Sequence, residues 1–443
     1  MMINNEKGLR VHLTRVPMDT AKLSVGMYVG MLDRPWLETP FIFQGFEIKE
    51  RLEIEQLRKY CRQVYVEIER GKLSEKTIRA LAASGPIPVL IGENEPLPGR
   101  LPGFVQRIIV RTGLTGFLSR RRKKRTGAYE IASTVRREAP HAAEAYEKCT
   151  KAWRRIYKRA GSAGFVEIER VMQAVTPLIR SILRNPNAMA WTVFSRKRSG
   201  HDYSRAVATA VWAIMFGRHL GLDRKGLENL AVGGLLLDIG NTALPEELVN
   251  AEGAITHDQY AQVPAHVEEG VRILERSPGI APAVFEMVMY HHERYDGSGY
   301  PYGVEGSNIP PMGRIAGIVD CYDAMTTKNG YSPALAAYDA ARELNELRNN
   351  QFSTEVVEQF MHTIGMFPTG SVVELSDGAA GLVLEQNPDN LLQPKVLVLR
   401  TPKQELLKRP RIMEPQDWRG RGLWIARGHE HGAFGIDPMS YFN

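Results

Sequence analysis

The sequence predicts a multidomain protein: a mainly all-α helical domain, a small α/β module ahead of it and a small β extension behind. Three observations carry this. The chain has 443 residues, more than one ordinary core serves. Between residues 190 and 368, apolar residues recur at helical spacing and no strand-rich segment interrupts them. After Pro368 the texture changes to short apolar runs separated by tight turns.

Residues 1–12 are a ragged start, and residues 13–70 read as the α/β module. Leu23 to Val29 is strand-like, and Glu50 to Arg62 has helical spacing at Leu52, Ile54, Leu57 and Cys61. Val64 to Ile68 alternates like a half-buried strand, and Trp36 to Phe41 is an aromatic loop. Residues 71–189 form a linker and helical connector. The prolines and glycines of 84–103 break regular structure, whereas Ala128 to about Arg184 is charged, Ala-rich and helical. That helical stretch serves as a connector or as a homodimer surface, although its heptads are not those of a coiled coil.

Within 190–368 the spacing predicts helices over 203–220, 224–238, 256–275, 281–292, 311–327, 333–348 and 353–364. Gly240 suits a helix C-cap, Thr256 an N-cap, Pro264 a kink or break, and Pro311 a helix start. Residues 369–400 read as three strands, with Ser376-Asp377-Gly378 turning between the first two, and 401–443 as an irregular tail.

Cys61, Cys149 and Cys321 have no paired spacing, which argues against a disulfide framework and for a reducing compartment. No charged-then-apolar leader is visible, and the longest apolar run, Ala206 to Phe216, falls short of the roughly 20 residues a bilayer requires. A cytoplasmic protein without a membrane span is expected. The formal charge of +7 draws on the run Arg120 to Arg125. That run lacks interleaved aromatics, so it reads as a solvated linker and nucleic-acid binding is not expected.

The helical block also carries groups suited to a divalent metal, which wants carboxylates and imidazoles converging from different elements. Asp238 lies at one helix end, His266 mid-helix, His291 and His292 at another helix end, and Asp320 within a helix. Adjacent helical residues diverge by about 100°, so His291 and His292 share an ion only if the helix ends there. The Gly-rich turn from Asp296 to Pro301 makes that feasible.

Residues 291–301 (His-His-Glu-Arg-Tyr-Asp-Gly-Ser-Gly-Tyr-Pro), Pro310 to Ile315 and Asp320 to Met325 together resemble the signature of the HD-GYP domain, a branch of the HD metal-dependent phosphohydrolases. The resemblance spans roughly 195–365. Residues 13–70, through Gly26-Met27-Tyr28-Val29 and Leu32 to Phe41, resemble a module of no assigned activity that often precedes this domain, and 370–399 is similar to its β extension. The resemblance implies an HD-type helical fold, an iron or manganese site, and hydrolysis of cyclic-di-GMP to pGpG and GMP. It implies Asp238, His266, His291, His292 and Asp320 as metal ligands, with Asp238 catalytic. Arg314, Lys328, Gly299, Tyr300 and Pro301 would contact substrate, and the Gly-Tyr-Pro loop would meet GGDEF-domain cyclases.

The chain departs from that pattern. The His-Asp-Ile-Gly-Lys segment is here Leu237-Asp238-Ile239-Gly240-Asn241. The family's first-helix histidine aligns with Tyr203 and an earlier acidic ligand with Ser199, and His201 is the candidate stand-in. Asn329-Gly330-Tyr331 replaces a basic residue before Pro-Tyr, with Lys328 adjacent. One metal position thus keeps only Asp238 and Asp320, while the other keeps Asp238, His266, His291 and His292. One ion at most is expected. Two functions remain open: a weak or non-catalytic regulatory member of the cyclic-di-GMP system, or a phosphodiesterase working with the remaining ligands.

Overall fold

The computed structural model describes residues 2–4, 10–12, 15–32, 46–48, 51–67, 129–196, 203–249, 256, 259, 262–327, 334–387, 390–430 and 432–441. The aromatic loop 36–41, the linker 84–103, the basic run 120–125, and Ser199, His201, Lys328, Asn329, Gly330 and Tyr331 lie outside the described residues. The chain divides into two compact units, 1–100 and 101–443.

In the first unit, β1 (Met2–Asn4) and β2 (Arg10–His12) form an antiparallel pair. A separate antiparallel sheet has the order β3 (Arg15–Asp19), β6 (Gln63–Glu67), β4 (Tyr28–Leu32), β5 (Phe46–Glu47). Helix Arg51–Tyr60 brings Ile54 and Leu57 into a core with Met18, Met27, Val29, Ile48, Cys61, Val64 and Val66. Val64 and Val66 lie two apart and face one side of the strand, as the alternation requires. The expected strand over 23–29 starts only at Tyr28: Leu23 to Met27 turns instead, with Gly26 at φ 93°.

The second unit opens with two helices where the sequence shows one long helical pattern. Val135–Ala163 ends at Gly164, whose φ of 71° stops the helix, and Ile168–Arg184 runs back along it. Buried Glu138 ties the pair together, accepting from Ser181 Oγ at 2.7 Å and from Arg184 Nε at 2.7 Å. Helix Pro186–Arg196 crosses the boundary expected at 189/190.

Helices Tyr203–His219 and Arg224–Leu236 form the centre of the block. Their close crossing depends on Gly234, where a Cβ would sit 2.8 Å from Ala210 Cα. Trp212 is buried edge-on to Tyr322, 5.4 Å between centroids, which joins this pair to helix Pro311–Met325. Helix Ala265–Glu275 begins after Pro264, so the longer helix expected over 256–275 is interrupted there and does not merely kink. Helices Pro282–Tyr290, Ala337–Glu346 and Thr354–Ile364 complete the block. Among the described residues no helix is long and apolar enough to cross a membrane.

The C-terminal β extension is larger than the sequence suggests. Its antiparallel sheet has the order β10 (Leu406–Met413), β9 (Lys395–Arg400), β8 (Ala380–Glu385), β7 (Val372–Leu375), β11 (Ile425–His429). The stretch expected as an irregular tail supplies both edge strands. An edge strand exposes most of its side chains and tolerates proline at an unpaired N–H position, so Leu-Leu-Lys-Arg-Pro-Arg-Ile-Met lacks the alternation of a half-buried strand. Trp191 of helix Pro186–Arg196 packs with Val372, Ala380, Leu382, Leu399 and Ile436, joining sheet to helices.

Trp191→Ala removes the large anchor of that junction. It is expected to lower stability by about 3–5 kcal/mol, read from the midpoint of urea unfolding.

Candidate metal centre

Four of the five ligands expected from the sequence converge. Asp238, His266, His291 and His292 each offer one ligand atom, and all these atoms lie within 4.8 Å of one another. Each comes from the end of an element. Asp238 follows helix Arg224–Leu236 and precedes the short 3₁₀ turn Ile239–Ala243. His266 lies in the first turn of Ala265–Glu275, not mid-helix. His291 and His292 follow Pro282–Tyr290, where the chain leaves the helix and the two imidazoles need not diverge.

Gly240 sets the approach of these elements. A Cβ there would lie 1.8 Å from the His266 carbonyl oxygen and 2.5 Å from Gly270 N. The residue allows the turn after Asp238 to lie directly on the backbone that carries His266. It is not the C-cap the sequence suggests, since the helix ends at Leu236 and Gly240 sits inside the 3₁₀ turn. Gly317 plays a similar part on helix Pro311–Met325: a Cβ would sit 2.9 Å from the His291 carbonyl oxygen.

Hydrogen bonds fix the imidazole orientation. His266 Nδ1 donates to Val263 O at 2.7 Å and His291 Nδ1 donates to Val288 O at 2.9 Å. Each Nε2 is thereby left with its lone pair, the arrangement of metal-ligating histidines. The two Nε2 atoms are 3.3 Å apart and lie 3.6 and 3.8 Å from Asp238 Oδ1. Nitrogen ligands at about 2.0–2.1 Å from an ion place neighbouring donors about 3.0–3.4 Å apart, so a small contraction closes this set around one cation. Two lone pairs facing each other beside a carboxylate suit a cation between them.

Burial lowers the His266 pKa, against the opposing charge of Asp238. Burial, with His291 and His266 nearby, holds His292 well below the usual imidazole range. Both therefore favour the neutral form that binds metal. Burial alone would raise the Asp238 carboxyl, but the nearby His291, Arg205 and His266 hold it below the ordinary carboxylate range.

The following loop is held rigidly. Glu293 is 3% exposed and its two oxygens accept from Tyr302 N and Val304 N, each at 2.8 Å. Tyr300 N donates to His292 O at 3.2 Å, and the Tyr300 ring stacks on His292 with centroids 4.5 Å apart. A Cβ at Gly299 would meet His292 O and Arg294 N at 2.4 Å, so only glycine fits against that backbone. Gly299, Tyr300 and Pro301 thus border the histidines.

The other half of the site differs from expectation. Asp320 stands outside the four-residue group and accepts from Arg205 Nη2 at 2.7 Å. Sequence reasoning missed Arg205. It stands in the first turn of helix Tyr203–His219 and reaches Asp320 from there. Leu237 is 2% exposed and adds only an apolar side chain. Arg314, expected at the substrate, instead donates to the carbonyls of Ile309 at 2.7 Å and Ser307 at 2.9 Å and holds that loop.

Two family models match the chain: "HD domain" over residues 190–356, and the domain of unknown function DUF3391 over 16–171, which extends well past the module expected at 13–70. The chain is 28% identical over 389 residues to cyclic di-GMP phosphodiesterase PA4108 of Pseudomonas aeruginosa, covering 87% of this chain and 85% of the relative. It is 33% identical over 143 residues to a cyclic di-GMP phosphodiesterase of Thermotoga maritima, covering 32% of this chain and 39% of the relative. It is 35% identical over 162 residues to 3'3'-cGAMP-specific phosphodiesterase 2 of Vibrio cholerae, covering 36% of this chain and 31% of the relative.

Gly240→Ala forces the turn after Asp238 away from His266. A destabilisation of about 1–3 kcal/mol is expected from overpacking. Manganese(II) affinity, measured by isothermal titration, should fall at least tenfold.

Proposed function

This chain belongs to the HD-domain family, as an HD-GYP protein with a DUF3391 module ahead of the helical domain, and on that premise we propose that it is a cyclic-di-GMP signalling protein with a single-metal site and little or no hydrolytic turnover. One observation carries the reading: the Asp238–His266–His291–His292 set converges, while the neighbouring half has Leu237, Asn241 and an Arg205–Asp320 ion pair. The names of the relatives supply the nucleotide class. The mixed imidazole and carboxylate donors suit iron or manganese.

A bound ion in such a site supplies Lewis-acid polarisation of a phosphoryl oxygen and lowers the pKa of its water. The chain's own groups do the rest. The two Nδ1–carbonyl hydrogen bonds orient His266 and His291, and Asp238 contributes the negative charge that favours a cation. Tyr300 covers one face of His292, and Glu293 holds the Gly-Tyr-Pro loop in place beside it. That loop is also the surface we assign to a GGDEF-domain cyclase.

The losses bear on rate. Asn241 brings no positive charge to a phosphate, and Leu237 brings no nitrogen to a second ion. Electrostatic contacts to a developing charge are worth roughly 10²–10³ each in turnover, so two losses imply a deficit of about 10⁴ or more. Binding and regulation depend less on those contacts than turnover does.

Metal analysis of the purified protein should find one iron or manganese ion per chain, and His291→Ala should remove it. Cyclic-di-GMP should bind without rapid conversion to pGpG or GMP when products are followed by chromatography. Fast turnover, lost in His291→Ala, would establish an active phosphodiesterase and defeat the regulatory reading.

A further inference from the structure

Two carboxylates lie within 4.0 Å of the Arg205 guanidinium, and the charge of a third acts on it. Asp320 is 4% exposed, Asp323 is fully buried, and Asp238 is shared with the histidine cluster. Such a cluster is costly unless a cation lies among it. Arg205 provides that cation. Its Nη2 lies 2.7 Å from Asp320 Oδ1 and its Nε 4.0 Å from Asp323 Oδ2. The charge of Asp238 also acts on it.

We propose that the Arg205 guanidinium acts as a built-in cation in the half of the site without histidines, standing where a second metal ion would be held and limiting the chain to one ion. The proposal rests on the reading above that the histidine half binds a single metal. A guanidinium keeps its charge at every physiological pH and cannot dissociate, unlike a weakly held ion. It compensates Asp238 and Asp320 whether or not metal is available, and it blocks the approach of a second ion to both. Leu237 fits the same design, since a neutral apolar neighbour neither competes with the guanidinium nor offers a donor.

A purely architectural salt bridge between helices Tyr203–His219 and Pro311–Met325 would use the same contact. Metal count separates the two roles, because an architectural bridge affects stability without limiting how many ions bind. Apo protein is titrated with manganese(II), and bound and free ions are counted. Wild type and Arg205→Lys should take up one equivalent. Arg205→His combined with Leu237→His, which removes the guanidinium and adds two imidazoles, should take up two. Arg205→Gln, close in shape and uncharged, serves as a second variant should the double substitution fold poorly. It should melt lower than wild type in metal-free buffer and recover more of its melting temperature with manganese(II).

Two equivalents in the wild type would overturn the proposal. So would one equivalent in the double variant with no extra manganese(II) rescue in Arg205→Gln. Failure of the histidine half itself stays distinguishable from these outcomes, because it would show as a wild type that binds no ion.

Discussion

The carboxylate of Asp238 is the group on which the rest of the site depends. One side of it faces the Nε2 atoms of His266 and His291, and its charge also reaches Arg205. A negative charge between two imidazoles and a guanidinium has unequal sides. The imidazole side offers nitrogen donors with Nδ1 already bonded to backbone carbonyls, a set suited to an ion. The Arg205 side already has its positive charge, so a second ion there would meet like charge. Removing two nitrogen donors and one lysine from a two-ion site therefore need not leave a ruin. The same backbone can support a stable one-ion arrangement.

The helices reach this arrangement because small residues stand at their crossings. Gly234 lets helix Arg224–Leu236 lie against Tyr203–His219, Gly240 lets the turn after Asp238 rest on the backbone of His266, and Gly317 brings helix Pro311–Met325 to the carbonyl of His291. Asp320 follows Gly317 by three positions on the same helix face. Backbone approach at Gly317 thus carries Asp320 toward Arg205. Large aromatic contacts, Trp212 on Tyr322 and Phe216 on Phe360, fill the interior around these crossings and keep them from sliding.

Much of this was legible in the residues. The helical block follows from apolar periodicity, and the start of helix Pro311–Met325 follows from its proline. The double histidine before a Gly-rich turn marked candidate ligands, because an imidazole pair can converge only where a helix stops. Less legible were features set by long-range contact. The strands of 401–443 are edge strands with mostly exposed side chains, and the pairing of β11 with β7 joins residues about fifty positions apart. The role of Arg314 depends on which carbonyls surround it, and a charged residue before Ile315 reads equally well as a ligand.

By itself the sequence determined the helical domain, the lineage marked by residues 291–301, and the choice of Asp238, His266, His291 and His292 as candidate ligands, whose atoms the fold brings within 4.8 Å of one another. Local spacing and chemical type suffice for these. Only the tertiary structure decided that Arg205 faces Asp320, that Gly240 is a point of backbone contact, and that Asp320 forms an ion pair outside the four-residue group. Arg205 and Asp320 lie 115 residues apart, and their meeting is a property of how two helices cross. No local pattern records that crossing, because it is fixed by the packing of every side chain between them.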